Sequence, residues 1–593
     1  MGEAEASNLY RTAEVLVDFC RQLGVTIESS VESLNSGVLS SEAEKTSDQA
    51  NSPPTKPPGT LIVTAYAPVP DIRVKVTPEL AVTDTCLIYL NFRAASQQTF
   101  RLGGSILAQT VGQLGAQWPD VENVEHFKTV FTTVQSLIKE GIITAGHDVS
   151  DGGLVVALLE MAFATNCGLK VNFEYSVPQS EEPREYADFE VLFAEEPALL
   201  LEVPIEQQRN VMKAFNGTGL NPQVIGRAVE EDWVEIAING VVKIKDKMTI
   251  LREVWEATSF ELQKLQQVSR ECVEAEQRGL KSRKSLNWTL TYDPAEVKLN
   301  IDSHLSSAPK VAVLREEGSN CDREMSAAFF MVGFDLADVT VTDLISGSAT
   351  LDYFQGLVFA GGFSYSDVLG SARGWAATLL YNEGISAQMG RFRARGNTFA
   401  LGCCNGCQLM TLLGWVGEKG DGSQGTMLAP NASGQFECRF VNVLIPEETP
   451  AMMFRGMGGS VMGVWAVHGE GQFVFESPAV ENSVKGKGLV SLLYVDDDAQ
   501  PTSRYPHCPN GSSGGVAGIT SEDGRFLALM PHPDRAALAW QLPYVPKNMK
   551  ATFGLKGGHG SGAGSGSGST PALLGSHWAK MFENAYRWAV ENA

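Results

Sequence analysis

The stretch Thr398-Phe-Ala-Leu-Gly-Cys-Cys-Asn-Gly-Cys-Gln-Leu-Met-Thr-Leu-Leu-Gly-Trp415 decides how this chain is read. Its pattern is a short buried strand, a sharp Gly-Cys-Cys-Asn-Gly turn and an apolar helix. A Cys at that junction is expected to stand exposed on a tight turn, with a helix N-terminus behind it. The helix dipole and the free backbone N–H groups there favour the thiolate, which is the nucleophilic form. The same N–H groups can hold a developing oxyanion. Cys404 is therefore the candidate nucleophile. Cys404-Asn-Gly-Cys407 is also a Cys-x-x-Cys. A zinc pair would need a second Cys/His pair at suitable spacing, and none stands there. A redox pair remains open.

A Cys nucleophile needs a base, and the base needs an orienting group. Met530-Pro-His-Pro-Asp-Arg535 directly follows the apolar strand Arg525 to Leu529. His532 and Asp534 thus fall at a strand's end, where sites in α/β folds collect. The His-x-acid spacing lets the carboxylate reach the imidazole and fix its tautomer. Gly361-Gly362 ends another apolar strand and is either a second oxyanion donor or an ordinary βα turn. His468 and Glu470, in Trp465-Ala-Val-His-Gly-Glu-Gly471, either bind a polar ligand or form a hairpin turn.

Working outward, strands are expected at 310–314, 335–339, 356–360, 436–445, 461–467 and 517–530, with a helix at 323–332 and a closing amphipathic helix at 578–590. Strand–helix alternation followed by a β-rich second half implies a mostly parallel sheet with an antiparallel extension. Upstream, 250–285 is helical and charged, and 286–308 reads as a connector. The first half is expected to hold helices at 8–23, 106–114, 124–140 and 154–164. Its strands are expected at 25–27, 60–67, 86–91, 142–145, 169–173, 190–193 and 198–203. This is an α+β or α/β domain of ordinary size. Residues 36–59 are Ser/Glu/Lys/Pro-rich and 557–569 are Gly/Ser repeats, so both read as mobile segments.

Two turns in the first half invite a phosphate or a metal. Arg101 with Gly103-Gly104 precedes a helix and can meet a phosphate. Asp148 and Asp151, in Gly146-His-Asp-Val-Ser-Asp-Gly-Gly153, are either helix caps or ligands of Mg²⁺ carrying a nucleotide.

Of 593 residues, 44% are hydrophobic and 19% charged, and the formal charge is −23. The length implies several domains. The acidic balance without a Lys/Arg run argues against nucleic acid and against an anionic membrane surface, but leaves room for a small anionic substrate. Ten scattered Cys suggest no disulfide framework, hence a reducing compartment. The acidic Met-Gly-Glu-Ala-Glu-Ala start lacks signal-peptide order and no apolar span has membrane length, so a cytoplasmic location is expected.

These segments together resemble phosphoribosylformylglycinamidine synthase, the large single-chain enzyme of purine synthesis. The stretches that carry the resemblance are Arg101 to Gln109, Gly146 to Leu154, Leu192 to Pro197, Glu317 to Glu324, Gly361 to Gly370, Cys404 to Gln408, His468 to Gly471, Pro509 to Ser512 and Pro531 to Arg535. They fall in the family's order over about residues 8–593. The resemblance implies an α/β and α+β multidomain chain. PurM-like synthetase subdomains would be followed by a class I glutaminase domain of flavodoxin-like fold with a mostly parallel central sheet. The implied divisions are 1–95, a shortened subdomain carrying the 36–59 insertion; 96–260, the PurM-like C-terminal subdomain; 261–308, a helical connector; and 309–593, the glutaminase.

The resemblance further implies that Cys404 attacks the glutamine amide, with His532 as base and Asp534 behind it. Gly361, Gly362, Asn405, Gln408, His468 and Glu470 would line the glutamine and oxyanion site. Ammonia would pass to a synthetase site where ATP and Mg²⁺ activate formylglycinamide ribonucleotide. Departures are Asp534 for Glu, Gln435 for Arg, Cys508 for Asn, and Ser29-Ser-Val-Glu-Ser-Leu34 in place of Gly-Gly-Lys-Asp-Ser-Leu. The chain is expected to begin inside the second synthetase half. It would then supply the ammonia-producing half alone or beside a separate chain carrying the missing half. The alternative is a degenerate relative, a pseudoenzyme serving as a structural or binding subunit.

Overall fold

The computed structural model describes residues 3–28, 61–71, 74–94, 99–175, 186–281, 283–284, 286–299, 308–417, 424–550, 552–553 and 575–593. The expected insertion 36–59, the Ser29–Leu34 stretch and the Gly/Ser repeats 557–569 lie outside these residues. The chain divides into two compact units at Glu253/Val254.

In the second unit the strands Lys310–Arg315, Asp335–Thr340, Gly356–Phe359, Phe399–Cys403 and Phe526–Leu529 pair in parallel. Numbered along the chain, they lie side by side in the order 2-1-3-4-5, the flavodoxin-like arrangement. Parallel strands need covering on both faces, so they are apolar throughout. Their side chains alternate between two cores. Val311, Val358, Phe399, Leu401 and Leu527 face the helices Asp322–Met331 and Ala579–Glu591. Ala312, Leu314, Leu357, Phe359 and Ala400 face the helices Arg373–Tyr381, Glu383–Ala394 and Asn405–Leu412. Phe399 is fully buried between Phe329, Phe334 and Trp588, so Phe399→Ala would cost about 3–5 kcal/mol.

Beyond Phe526–Leu529 the sheet continues antiparallel through Val516–Thr520, Val490–Tyr494, Glu437–Leu444 and Val461–His468. This extension curls. Its last strand returns to the parallel strands' carboxyl ends, where Trp465 forms an isolated bridge with His532. The expected single strand 517–530 is two strands, turned at 521–525.

The first unit holds a seven-stranded, largely antiparallel sheet in the order 145–149, 198–204, 85–91, 223–229, 168–173, 233–238, 241–247. The helix Gly153–Thr165 packs on one face around Leu87 and Tyr89, and Val124–Lys139 on the other around Ile88 and Leu90. Three expected strands are absent. Residues 25–27 and 61–67 take no regular structure, and Ile62 and Tyr66 are exposed. A strand needs a neighbour's backbone to pair with, and the central strand Thr85–Asn91 already has 198–204 and 223–229 on its two edges. Residues 190–193 belong to the helix Ala187–Phe193, where Phe189 and Phe193 stack one turn apart. A four-residue apolar run does not by itself distinguish strand from helix.

Candidate active site

The carboxyl ends of three adjacent parallel strands converge: Gly361-Gly362 after Gly356–Phe359, Cys404 after Phe399–Cys403, and His532 after Phe526–Leu529. That edge is where open α/β sheets bind ligands.

Cys404 is the residue between strand and helix, with φ 53° and ψ −110°. A non-glycine residue at positive φ stores of order 1–3 kcal/mol, and such strain persists where surrounding contacts over-determine it. Here the Cys404 N–H donates to the Leu529 carbonyl at 2.8 Å, and Gly406 passes so close to the Phe359 carbonyl that a Cβ would sit 2.1 Å from its oxygen. Contrary to the sequence expectation, Cys404 is buried, with 8% of its surface exposed. The curled edge strand covers it, and its thiol donates to the Val467 carbonyl at 3.4 Å. The first N–H groups of the helix behind it have no partner within the helix.

His532 and Asp534 are 1% exposed, with Nδ1 and Oδ1 3.3 Å apart. Charge-assisted pairs usually close to 2.7–2.9 Å, so the short aspartate holds the ring at the long end of the range. Burial pulls the imidazole's pKa down, but Asp534 and then Cys404 outweigh it, and the value rises to about 10. His532 is thus charged at neutral pH, with Cys404 within electrostatic reach. Its Nε2 and the second Asp534 oxygen are buried without a hydrogen-bond partner. Glycine fits at 361 without displacing its neighbours, whereas a Cβ would lie 3.0 Å from both His532 Cε1 and Cys321 Sγ.

His468 lies beside this pair. Burial, then the nearby His532, lower its pKa to about 3, so it is neutral. Its Nδ1 contacts Asn431 Oδ1 at 3.1 Å, and its Nε2 is a buried orphan. Asn405, Gln408 and Glu470 are present at the site but tied to one another. Asn405 donates to Gln408 Oε1 at 2.9 Å and accepts from the Ser364 N–H at 3.3 Å. Gln408 donates to the Glu470 carbonyl at 2.6 Å, and the Glu470 carboxylate accepts from the Ser371 N–H at 3.3 Å. These side chains brace the loops around Cys404.

Four residues of the site escape sequence reasoning. Asn431 holds the 468–471 loop by accepting from the Gly471 N–H at 3.0 Å and donating to the His468 carbonyl at 2.7 Å. Asn510 donates to the Gly471 carbonyl at 2.7 Å, and Pro509-Asn-Gly-Ser512 was a legible signal for it. Asp367 sits in a loop where Tyr365, Ser366, Asp367, Leu369 and Ala372 all have positive φ. Burial and then Glu470 raise its pKa, and one of its oxygens has no partner. Cys321, from the loop after Lys310–Arg315, is 2% exposed, and Arg535 Nη2 donates to its sulfur at 2.9 Å.

The phosphate and metal candidates of the first unit fare differently. The Arg101 guanidinium is already paired with Glu196 at 2.7 Å and Glu122 at 2.9 Å. The N–H groups of Ile106 and Gly152 both donate to Glu195 Oε1, at 2.8 and 2.9 Å. A Cβ on Gly103 would lie 2.2 Å from the Gln117 carbonyl oxygen, so backbone packing explains that glycine; Gly104, at φ 72°, has open space around it. Asp148 is 73% exposed beside His147, Asp151 is exposed, and neither makes a side-chain cap on Gly153–Thr165. Among the described residues neither belongs to a metal-ligand group of three or more. As they stand, Arg101 is engaged by the chain's own carboxylates, and among the described residues Asp148 and Asp151 are gathered with no third ligand. Among the described residues no helix is long and apolar enough to cross a membrane.

The chain is similar to several known proteins. Residues 308–589 match the family described as CobB/CobQ-like glutamine amidotransferase domain, and residues 99–239 match the C-terminal domain of AIR synthase related proteins. The chain is 42% identical over 592 residues to "Probable phosphoribosylformylglycinamidine synthase, chloroplastic/mitochondrial" of Arabidopsis thaliana, covering 99% of this chain and 39% of that protein. It is 41% identical over 605 residues to the Homo sapiens phosphoribosylformylglycinamidine synthase, covering 99% of this chain and 42% of that one. The chain thus spans about two fifths of the length of these relatives, each of which holds the matched portion within one longer chain. A solved structure titled "Structure of PurLQS from Thermotoga maritima" is 26% identical, covers 42% of this chain and 97% of its own, and superposes with a TM-score of 0.31.

Proposed function

We propose, for a chain homologous over 99% of its length to phosphoribosylformylglycinamidine synthases, that its second unit hydrolyses glutamine to supply ammonia for that ligase reaction. The observation that carries the reading is the strained Cys404 set beside the buried His532–Asp534 pair. The Cys404 sulfur attacks the side-chain amide carbon of glutamine as the thiolate, its proton already carried by the charged His532. Backbone N–H groups at the start of Asn405–Leu412 face the developing oxyanion, with Gly361-Gly362 on the other side of the site. The charged His532 gives a proton to the amide nitrogen, the C–N bond breaks, and ammonia leaves a glutamyl thioester. His532, now neutral, takes a proton from water, which opens the thioester to glutamate and frees Cys404. Asp534 stabilises the charged imidazole and keeps its orientation.

The ammonia then replaces the formyl-amide oxygen of formylglycinamide ribonucleotide in an ATP-dependent step that gives the amidine, ADP and phosphate. ATP, and Mg²⁺ with it, belong to that step. In that step Arg101, Gly103, Gly104, Asp148 and Asp151 carry no assigned role: Arg101 is held by Glu196, and among the described residues Asp148 and Asp151 belong to no metal-ligand group. The relatives carry the matched length within one chain, which gives no support to a separate partner chain. The alternative of a structural subunit loses ground to the intact Cys404–His532 arrangement.

The test is incubation with a glutamine-analogue alkylator, followed by peptide mapping and by ammonia release from glutamine. Label on Cys404 that glutamine protects against is expected. Absence of label on Cys404 would overturn the reading.

A further inference from the structure

We propose that Cys321, His532 and Asp534 form an inhibitory binding site for a soft divalent cation of the zinc type, and that its occupancy removes His532 from service. Their ligand atoms lie within 4.8 Å of one another, and all three residues are buried. In a tetrahedral zinc site, metal–sulfur and metal–nitrogen bonds of about 2.3 and 2.0 Å put neighbouring ligand atoms roughly 3.3–3.8 Å apart. Small side-chain shifts close the difference. Thiolate, imidazole and carboxylate together are the donor set zinc prefers, and three protein ligands leave one position for water.

Two further observations point to a ligand at this place. One Asp534 oxygen is buried with no hydrogen-bond partner, a state that native structures seldom leave unanswered. And glycine at 361 leaves room beside thiol and imidazole, since a Cβ there would lie 3.0 Å from both Cys321 Sγ and His532 Cε1 and one of them would have to give by a few tenths of an ångström. Arg535 and Asn320 are the opposing elements. Arg535 Nη2 lies 2.9 Å from the Cys321 sulfur, the Cys321 thiol donates to Asn320 Oδ1 at 3.3 Å, and a cation must displace both contacts. Arg535 is also held by Glu324 at 3.0 Å, so it keeps a partner when it leaves the sulfur.

Binding replaces the thiol proton of Cys321 and the Nδ1 proton of His532 with the metal, and both protons go to water. The imidazole is left with its remaining proton on Nε2, facing Cys404. It can no longer accept the proton that thioester hydrolysis requires. The inhibition rests on the glutaminase reading; the metal site does not.

The test uses the full chain, freed of metal, titrated with Zn²⁺ alone against a chromogenic chelator and with Co²⁺ as a spectroscopic probe. One tight equivalent is expected, with a cobalt–thiolate charge-transfer band. Cys321→Ala and the near-isosteric Cys321→Ser should each weaken binding at least tenfold and lose the band, while Cys404→Ala keeps both. Zn²⁺ should slow alkylation of Cys404 in the parent chain and not in Cys321→Ser. If Cys404 resists alkylation altogether, the glutaminase reading fails while the titration still decides the metal site. Unchanged binding in both Cys321 variants, or no tight equivalent in the parent chain, overturns the proposal.

Discussion

Two regions of this molecule, the pair of glycine turns in the first unit and the Cys404 elbow in the second, invite an anion by the same local logic, and the structure treats them in opposite ways. Both set glycines at or near the start of a helix. At Arg101 to Ser105 and Gly152-Gly153, the chain fills the place itself. Glu195 takes the backbone N–H groups of Ile106 and Gly152, and the buried Glu196 takes Arg101. At Cys404 nothing of the kind happens. His532 Nε2, Asp534 Oδ2, His468 Nε2 and Ser364 Oγ are left buried and unanswered around a strained residue. Burying a polar atom without a partner costs about 1–3 kcal/mol. A fold tolerates several together where something outside the chain is to satisfy them. The partnered turns are held by the chain itself; the unpartnered elbow suits the substrate proposed for it.

The largest expected effect tests the unpartnered side. Cys404→Ala should abolish alkylation and cut ammonia release by roughly 10³-fold or more. Residual turnover near the parent rate would show that the strain at 404 serves something else. Asp534→Asn keeps the shape but removes the charge that holds His532 protonated, so turnover should fall roughly 10²–10⁴-fold with KM little changed.

On the partnered side, Arg101→Ala should leave Glu196 buried without its cation. Such a loss destabilises by about 3–5 kcal/mol, read as a lower denaturation midpoint, with Cys404 alkylation unaffected. If Arg101→Ala instead left stability alone and weakened nucleotide binding, the contrast would be broken. Glu195→Gln keeps an acceptor oxygen for Ile106 and Gly152, and should cost only about 1 kcal/mol.

The mildest probe is pH. His532 is raised to about 10, so its contribution to stability is fully present below its unfolded value near 6.5 and is lost as pH rises through about 10. His468 and His577 go the other way, lowered by burial to about 3 and about 4. Their contribution is present above pH ~6.5 and is lost as pH falls toward those values. Denaturant midpoints measured from pH 4 to 10 should therefore decline at both ends. A midpoint unchanged between pH 6.5 and 4 would show that His468 is not held neutral.

The elbow and its candidate base could be proposed from sequence because their signals are local. Cys404 needed only a strand, a turn and a helix in succession, and His532-Pro-Asp534 only a strand's end. The parallel half of the sheet was legible from the succession of apolar runs, such as Leu357 to Ala360, alternating with helical patterns, since a short apolar run alone would not separate strand from helix. The strands 223–229, 233–238 and 241–247 carried no assignment from sequence, because Val241–Lys247 is mostly exposed and its alternation is weak. The strand expected at 60–67 failed for the converse reason. Its residues suit a strand, but strand pairing is decided by which edges are free.

What the amino-acid order offered by itself is the family resemblance, the expectation of a flavodoxin-like frame, and a candidate nucleophile and base. Each is assembled from short motifs whose local geometry is readable one at a time, although the motifs themselves lie far apart in the chain. Only the tertiary structure decided that Cys404 is buried rather than exposed, because the cover is a strand more than fifty residues away that curls back onto it. Only tertiary structure brought Asn431, Asn510 and Cys321 to the site, and only it filled the first unit's phosphate-like turns with Glu195 and Glu196. Those outcomes depend on which partner reaches a polar group first, and no stretch of sequence carries that information alone.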